Sequence, residues 1–125
     1  HARFSTAATP GAAVAAFIED AANRKESRGF TLSCPIGTVA LDVAPDDPLA
    51  AHCSALFDDW AATLAVYLRP DDEKDGRALA EWVIASFEGA LLLSRVRRSA
   101  APLREAALRL RAQIDASIPT AWTSR

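Results

Sequence analysis

Hydrophobic and polar residues recur along most of this chain with the period of an α-helix. The pattern predicts four helices, with their caps, at 9–27, 47–68, 71–98 and 99–117. Thr9-Pro10 and Asp47-Pro48 each place a capping side chain before a proline at the first helical position, where its missing N–H costs nothing.

The stretch 71–98 is apolar on nearly all sides, and Glu88 is the single charge between Trp82 and Leu93. As a helix it has two apolar faces, Leu79, Trp82, Ser86, Gly89 and Leu93 on one, and Val83, Ile84, Phe87 and Leu91 on the other. Such a helix must be covered on most sides. Its apolar run, 82–93, is too short to cross a bilayer, which needs about 20 apolar residues. We therefore expect no membrane contact, and cover from the rest of the chain and a second copy.

The segment 30–45 fits two structures equally well. Phe30, Leu32 and Cys34 alternate, as do Val39 and the apolar residues after it, which predicts a hairpin turning at 35–38. The same residues fit a short helix that opens at Pro35. The pattern alone does not choose between them.

Composition indicates one helical domain from a longer, cytoplasmic protein. Half of the 125 residues are hydrophobic, and the many alanines favour helices over strands. A net charge of −2 argues against direct binding of nucleic acid by this segment. The chain contains no methionine, so we interpret 1–8 as a lead-in or tag remnant, 9–118 as the domain and 119–125 as a tail. The two cysteines are expected to be reduced thiols.

No pattern of residues predicts catalysis, and we expect no catalytic residue, no metal site and no cofactor. His52 and Cys53 are adjacent, so on a helix they point too far apart to chelate one ion. The sequence has no nucleophile motif and no glycine-rich phosphate loop. Glu88 stands out, because a carboxylate in an apolar run needs an arginine partner, a surface position or a ligand.

Two strings resemble the C-terminal domain of TetR/AcrR-type transcriptional regulators, in the LmrA/YxaF-like branch. They are 33–42 (SCPIGTVALD) and 82–98 (WVIASFEGALLLSRVRR), and the helix between them and the start of the last helix agree in order and spacing. The resemblance covers about residues 9–115. Ser33 stands where the family has glycine and Asp42 where it has glutamate.

The resemblance implies an all-α antiparallel bundle of about five helices, in which 35–43 is helical. It also implies a homodimer that binds a small, mostly apolar effector, and contact with operator DNA only through an N-terminal helix-turn-helix domain that this chain lacks. The predicted effector contacts are Phe17, Ile36, Phe57, Trp60, Leu64, Trp82 and Ser86. The predicted dimer contacts are Leu92, Arg95, Val96, Leu103, Ala107, Leu110 and Ile114.

Two alternatives remain open at this point. One is a dimeric helical interaction or adaptor module that never had a DNA-binding domain. The other is a small helical enzyme, which would need acids or nucleophiles inside its pocket.

Overall fold

A computed structural model describes residues 7–31 and 33–118, which fold into five α-helices. These are α1 (Pro10–Ser27), α2 (Pro35–Asp42), α3 (Pro48–Leu68), α4 (Glu73–Arg97) and α5 (Ala101–Ser117). No strand occurs in these two ranges. The all-helical prediction is confirmed, and of the two structures considered for 30–45 the helix is the observed one. Most of the predicted lead-in, residues 1–6, and the whole predicted tail lie outside the described residues.

Two helix starts follow the predicted capping chemistry. The Thr9 hydroxyl accepts a hydrogen bond from the backbone N–H of Ala12 at 3.1 Å. The Asp47 carboxylate accepts one from the N–H of Leu49 at 2.8 Å. Each bond satisfies a donor that the first turn of a helix leaves unpaired, so these starts are fixed locally.

Helix α4 begins one residue later than the sequence suggests. Its cap is Asp72, whose carboxylate accepts from the N–H of Asp75 at 3.0 Å. Asp71, the expected cap, instead pairs with Arg69, with Oδ1 3.1 Å from Nε. The nearby guanidinium thus takes the carboxylate that would have capped the helix.

The most extensive contact in the fold joins α1 to α5. Its buried apolar residues are Val14, Ile18 and Ala22 of α1, and Leu103, Ala107, Leu110 and Ile114 of α5. At one end the Asp115 carboxylate accepts hydrogen bonds from the Thr9 hydroxyl at 3.0 Å and the Gly11 N–H at 2.9 Å. At the other end Arg104 pairs with Glu19 and, at 2.7 Å, with Glu26. We refer to this contact as the α1–α5 seam.

Helix α4 packs on α5 and on α3, and α2 packs chiefly on α3. The α3–α4 contact is close because both helices present small residues. A Cβ atom on Gly76 would lie 2.8 Å from the carbonyl oxygen of Ala65. Within the described ranges, none of the helices combines the length and apolar character needed to cross a bilayer.

Candidate functional site

An apolar cavity of about 270 Å³ lies between α1, α3 and α4. Each helix contributes three residues at helical spacing: Val14, Phe17 and Ile18 from α1, Trp60, Thr63 and Leu64 from α3, and Val83, Ile84 and Phe87 from α4. None of them is charged. An apolar space that is partly open to solvent and has one hydroxyl in its wall suits a largely apolar small molecule.

Two large aromatic side chains at this cavity are incompletely covered. Phe17 and Trp60 are each 38% exposed. Phe17 also meets Phe87 edge to face, with ring centroids 5.3 Å apart. Exposed apolar surface is costly by roughly 25 cal/mol per Å², so an occupant that covered these rings would be stabilised.

A second cavity of about 220 Å³ adjoins the first and has a different character. The two share Phe17 and Phe87, and the second is completed by Ala21, Arg24, Lys25, Ser33, Cys34 and Leu91. Lys25 is only 1% exposed. Burial lowers the pKa of its ammonium group from the ordinary value, and the charge of Arg95 lowers that pKa further.

Cys34 occupies the N-cap position of α2, but its side chain makes no capping hydrogen bond. Burial raises the pKa of its thiol. A raised pKa keeps the sulfur protonated near neutral pH, which does not suit a nucleophile or a redox-sensing thiolate. Both Cys34 and Cys53 are free thiols. Among the residues that the structure describes, no group of three or more histidines, cysteines and acids is placed to hold a metal ion.

Glu88 lies against α2 rather than beside an arginine. A Cβ atom on Gly37 would lie 2.6 Å from its Oε2 atom, so the carboxylate occupies the space that this glycine leaves. Its Oε1 atom is buried and has no hydrogen-bond partner in the described part of the chain. No Arg or Lys of that part forms an ion pair with it, so the arginine partner considered from the sequence is not observed.

The structure brings three of the seven predicted effector contacts together, namely Phe17, Trp60 and Leu64. The other four, Ile36, Phe57, Trp82 and Ser86, do not line that cavity. Phe57 and Glu88 line a smaller cavity beyond Ile84, whereas Trp82 and Ser86 line a surface groove between α4 and α5. Whether any of the seven binds an effector remains a prediction.

Six cavity residues were missed by the sequence interpretation: Val14, Ile18, Thr63, Val83, Ile84 and Phe87. A signal for three of them was present, because Val83, Ile84 and Phe87 form the second apolar face of the long helix. The pattern separates the two faces but does not say which one turns towards α1.

The predicted dimer contacts fall into two groups. Leu92, Arg95 and Val96 are exposed on α4. Leu103, Ala107, Leu110 and Ile114 are at most 3% exposed, because α1 covers the stripe that they form on α5. These four are interior residues of one protomer, which corrects their placement at a surface. Trp82 and Leu93 line the groove and are exposed, and Leu108 is an exposed apolar residue of α5.

Residues 10–109 match the family model described as "Transcriptional regulator LmrA/YxaF-like, C-terminal domain". The chain belongs to this family. It is a TetR-like C-terminal domain of the kind found in transcriptional regulators, a family of regulators rather than of enzymes. The resemblance noted in the sequence is confirmed.

Two curated relatives carry the same description, an uncharacterised HTH-type transcriptional regulator. They come from the CDC 1551 / Oshkosh and ATCC 25618 / H37Rv strains of Mycobacterium tuberculosis. Each is 33% identical over 101 residues, an alignment that covers 74% of this chain and 52% of the relative. The chain thus spans about half the length of the curated relatives it matches. No solved structure matches it significantly.

Proposed function

We propose that this chain is the effector-binding and dimerisation domain of a TetR-type repressor that acts on DNA through an N-terminal helix-turn-helix domain. A small, mostly apolar effector occupies the cavity between α1, α3 and α4 and changes the affinity of the whole regulator for its operator. Action on the chromosome implies a cytoplasmic protein. The observation that carries this proposal is the cavity itself, walled by three helices and bordered by half-covered aromatic rings.

The contribution of α1 to the cavity gives the effector a route to the rest of the regulator. Val14, Phe17 and Ile18 line the cavity from the first helix of the region that matches the family. An effector that moves α1 relative to α4 would therefore move whatever precedes α1. Because binding free energies are coupled reciprocally, operator DNA must weaken effector binding by the same factor as the effector weakens DNA binding.

The homodimer is proposed to form through the exposed apolar surface of α4 and α5. Trp82, Leu93 and Leu108 are exposed there, with Leu92 and Val96 farther along α4. A twofold contact pairs this surface with itself, and a stable one should bury more than about 1,000 Å² in total. Sedimentation at micromolar concentration tests it: Leu93→Glu should give monomers, while Val66→Glu, on the exposed side of α3, should not.

Effector binding is tested by filling the cavity. Lipophilic compounds are screened by thermal shift, where a ligand at about 100 times its Kd adds about 2.7 kcal/mol of stability. Leu64→Trp places a larger side chain in the cavity and should abolish the shift, whereas Val66→Trp, two residues away and exposed, should keep it.

Operator binding is tested with the full-length regulator, whose release from DNA by an active compound should disappear in Leu64→Trp and persist in Val66→Trp. Release that persists in Leu64→Trp would contradict the proposed cavity. A dimer that responds to no compound and retains no DNA would instead favour an interaction module.

A further inference from the structure

The carboxylate of Glu88, on α4, lies against the first turn of α2. A Cβ atom on Gly37 would be 2.6 Å from Oε2 of Glu88 and 3.7 Å from Cβ of Cys34, so these three residues are in close contact. Oε1 of the same carboxylate is buried and has no hydrogen-bond partner among the described residues. Position 37 therefore accepts no side chain while Glu88 holds this place.

A glutamate at position 88 is not explained by the stability of the fold. A buried carboxylate oxygen without a partner loses its hydration and gains no hydrogen bond in exchange. None of the ion pairs of the described residues includes Glu88. An apolar side chain at this position would avoid that penalty. A buried polar group that stability does not explain indicates a role in positioning or function.

Cys34, the N-cap residue of α2, lies at the same contact. Burial is the main cause of the raised pKa of its thiol, and the negative charge of Glu88 raises that pKa further. The protonated thiol is a weak hydrogen-bond donor, and the first N–H groups of a helix carry partial positive charge. The carboxylate is therefore attracted to this turn in addition to filling the space beside Gly37.

Helix α2 is otherwise held loosely. None of its eight residues is buried, and it packs chiefly on α3. The two strings that carry the family resemblance, 33–42 and 82–98, meet where Glu88 contacts Gly37. This contact joins α2 directly to α4.

The same turn of α4 also borders the apolar cavity between α1, α3 and α4. Phe87 directly precedes Glu88 and lines that cavity, as does Ile84 one turn earlier. Consecutive helical residues point about 100° apart, so this turn meets the cavity with Phe87 and α2 with Glu88. Because Oε2 already fills the space at Gly37, an occupant that shifts this turn either compresses the contact or opens it. Occupancy and the contact therefore oppose each other.

We infer that Glu88 is a positioning residue that couples the effector cavity to helix α2. Its carboxylate holds the first turn of α2 against α4, and an effector that displaces α4 at Phe87 releases α2. Because coupling free energies are reciprocal, release of α2 tightens effector binding by the same factor. This inference rests on the proposed function and identifies the residue through which occupancy of that cavity reaches α2.

A smaller cavity beside Glu88 suggests a different role, the binding of an organic cation. Its lining includes Phe57 and two further acids, Asp58 and Glu81. Those two acids already share Arg77, at 2.6 and 3.1 Å. Oε1 of Glu88 is buried, so a cation would reach it only by displacing the side chain. The geometry therefore favours the positioning role, and cation binding is an outcome of the test.

Hydrogen exchange of the α2 amides measures whether Glu88 holds this helix. In Glu88→Ala the amides of 36–42 should exchange roughly tenfold faster than in the wild type, as expected when a contact with a charged group is lost. The matched control is Glu81→Ala, which removes an exposed acid two turns earlier on α4 and should leave this exchange unchanged. Unchanged exchange in Glu88→Ala overturns the inference.

A second substitution tests the contact from the side of α2. Gly37→Ala raises the helix propensity of α2 but meets the carboxylate of Glu88 in the wild type. It should therefore slow the exchange of α2 more in the Glu88→Ala background, where the space is empty, than in the wild-type background. The difference between the two backgrounds measures the interaction. Equal effects mean that the two residues do not interact and overturn the inference.

An uncharged probe, octan-1-ol, tests the coupling to the cavity. Glu88 does not line that cavity, yet Glu88→Ala should bind octan-1-ol about three- to tenfold more tightly than the wild type in calorimetry, and Glu81→Ala should bind it equally. In the wild type octan-1-ol should also speed the exchange of α2, and in Glu88→Ala it should add nothing. A merely structural role would change stability without tightening binding. Equal affinities, or wild-type exchange that octan-1-ol leaves unchanged, overturn the inference.

Two further outcomes separate this inference from the proposed function. Octylamine that binds more tightly than octan-1-ol, and loses this advantage in Glu88→Ala, assigns Glu88 to cation binding and overturns the positioning role. Binding of octan-1-ol that is unchanged in Leu64→Trp places the probe outside the cavity and contradicts the proposed function itself. Binding that Leu64→Trp abolishes and Glu88→Ala leaves unchanged overturns the coupling alone.

Discussion

The two sides of this domain differ in how completely their apolar residues are buried. In the α1–α5 seam, apolar stripes from both helices are buried and each end is held by polar pairs. On the other side, α2 contains no buried residue, and its contacts are mainly with α3. Leu41 of α2 is 81% exposed, and Leu49, Leu56 and Val66 of α3 are also exposed. We refer to α2 and α3 as the flank.

The difference indicates which part of the domain can move. Regions with few buried apolar contacts open at a lower free energy than the core of the same protein. The cavity lies at the boundary, with one wall in the seam and Trp60 and Leu64 in the flank. A ligand in this cavity therefore contacts both the well-packed seam and the less buried flank.

The difference in packing between the seam and the flank is tested most directly by truncating one apolar side chain in each. Ile114 of the seam is 0% exposed, and Ile114→Ala should lower the free energy of unfolding by about 2–5 kcal/mol. Leu56 of the flank is 44% exposed, and Leu56→Ala should cost only about 0.5 kcal/mol. Urea unfolding measures both. Equal losses would mean that the flank is packed as firmly as the seam.

Two glycines within helices should respond to alanine with opposite signs. A Cβ atom on Gly11 would lie 2.5 Å from the Arg111 carbonyl oxygen and from the Asp115 carboxylate, so Gly11→Ala should destabilise the seam by about 1–3 kcal/mol. A Cβ atom on Gly89 meets nothing within 4 Å, and Gly89→Ala should stabilise the protomer by about 0.5–1 kcal/mol. Chemical denaturation at low protein concentration gives both values.

Gly89→Ala also tests the proposed dimer surface, since Gly89 lies in the groove between α4 and α5. If a second protomer packs closely there, the added methyl group weakens dimerisation although it stabilises each protomer. Sedimentation of the variant alongside the wild type separates the two effects. Unchanged dimerisation would mean that the partner does not approach this part of α4.

The smallest expected effect is a dependence on pH that comes from Lys25. Its pKa is lowered in the fold, chiefly by burial and then by Arg95, so between that pKa and the ordinary value of 10.5 the unfolded chain binds more protons. The free energy of unfolding of the wild type minus that of Lys25→Met should therefore be constant below this pH window and rise with pH within it. Denaturation midpoints at increasing pH, corrected with Lys74→Met, measure the slope. A falling difference would contradict the direction of the shift.

Local chemistry in this chain is predictable from its sequence. The starts at Thr9-Pro10 and Asp47-Pro48 are correct because a cap acts on the next three residues. The start of α4 is displaced because Asp71 has a competing partner in Arg69. The helical structure of 35–42 came from the family resemblance, since the alternation of apolar residues fits a strand equally well.

The candidate site is only partly predictable, because it depends on which helix faces turn towards each other. Trp82 and Phe87 are both large apolar residues of α4, yet one lies at a surface groove and the other in the cavity. In α3 the buried positions include Ala61 and Ala65 rather than the larger Leu49 and Leu56. A helix that must approach its neighbour closely buries its small residues. A hydrophobicity pattern instead predicts that the larger apolar residues are the buried ones.

The close approach of Gly76 to Ala65 gives α3 a pivot. At the same end of the helix Arg69 is held by Asp71 and Asp75, and it donates to the carbonyl of Ser117. Trp60 lies about 7.5 Å along the helix from Ala65 and Leu49 about 24 Å, at 1.5 Å per residue. If α3 tilted as a rigid body about this point, its end at Leu49 would move roughly three times as far as Trp60. Helix α2, which packs on α3, would move with that end. A ligand that tilted α3 about this point would therefore displace the outer end of the helix by more than it displaced the cavity wall.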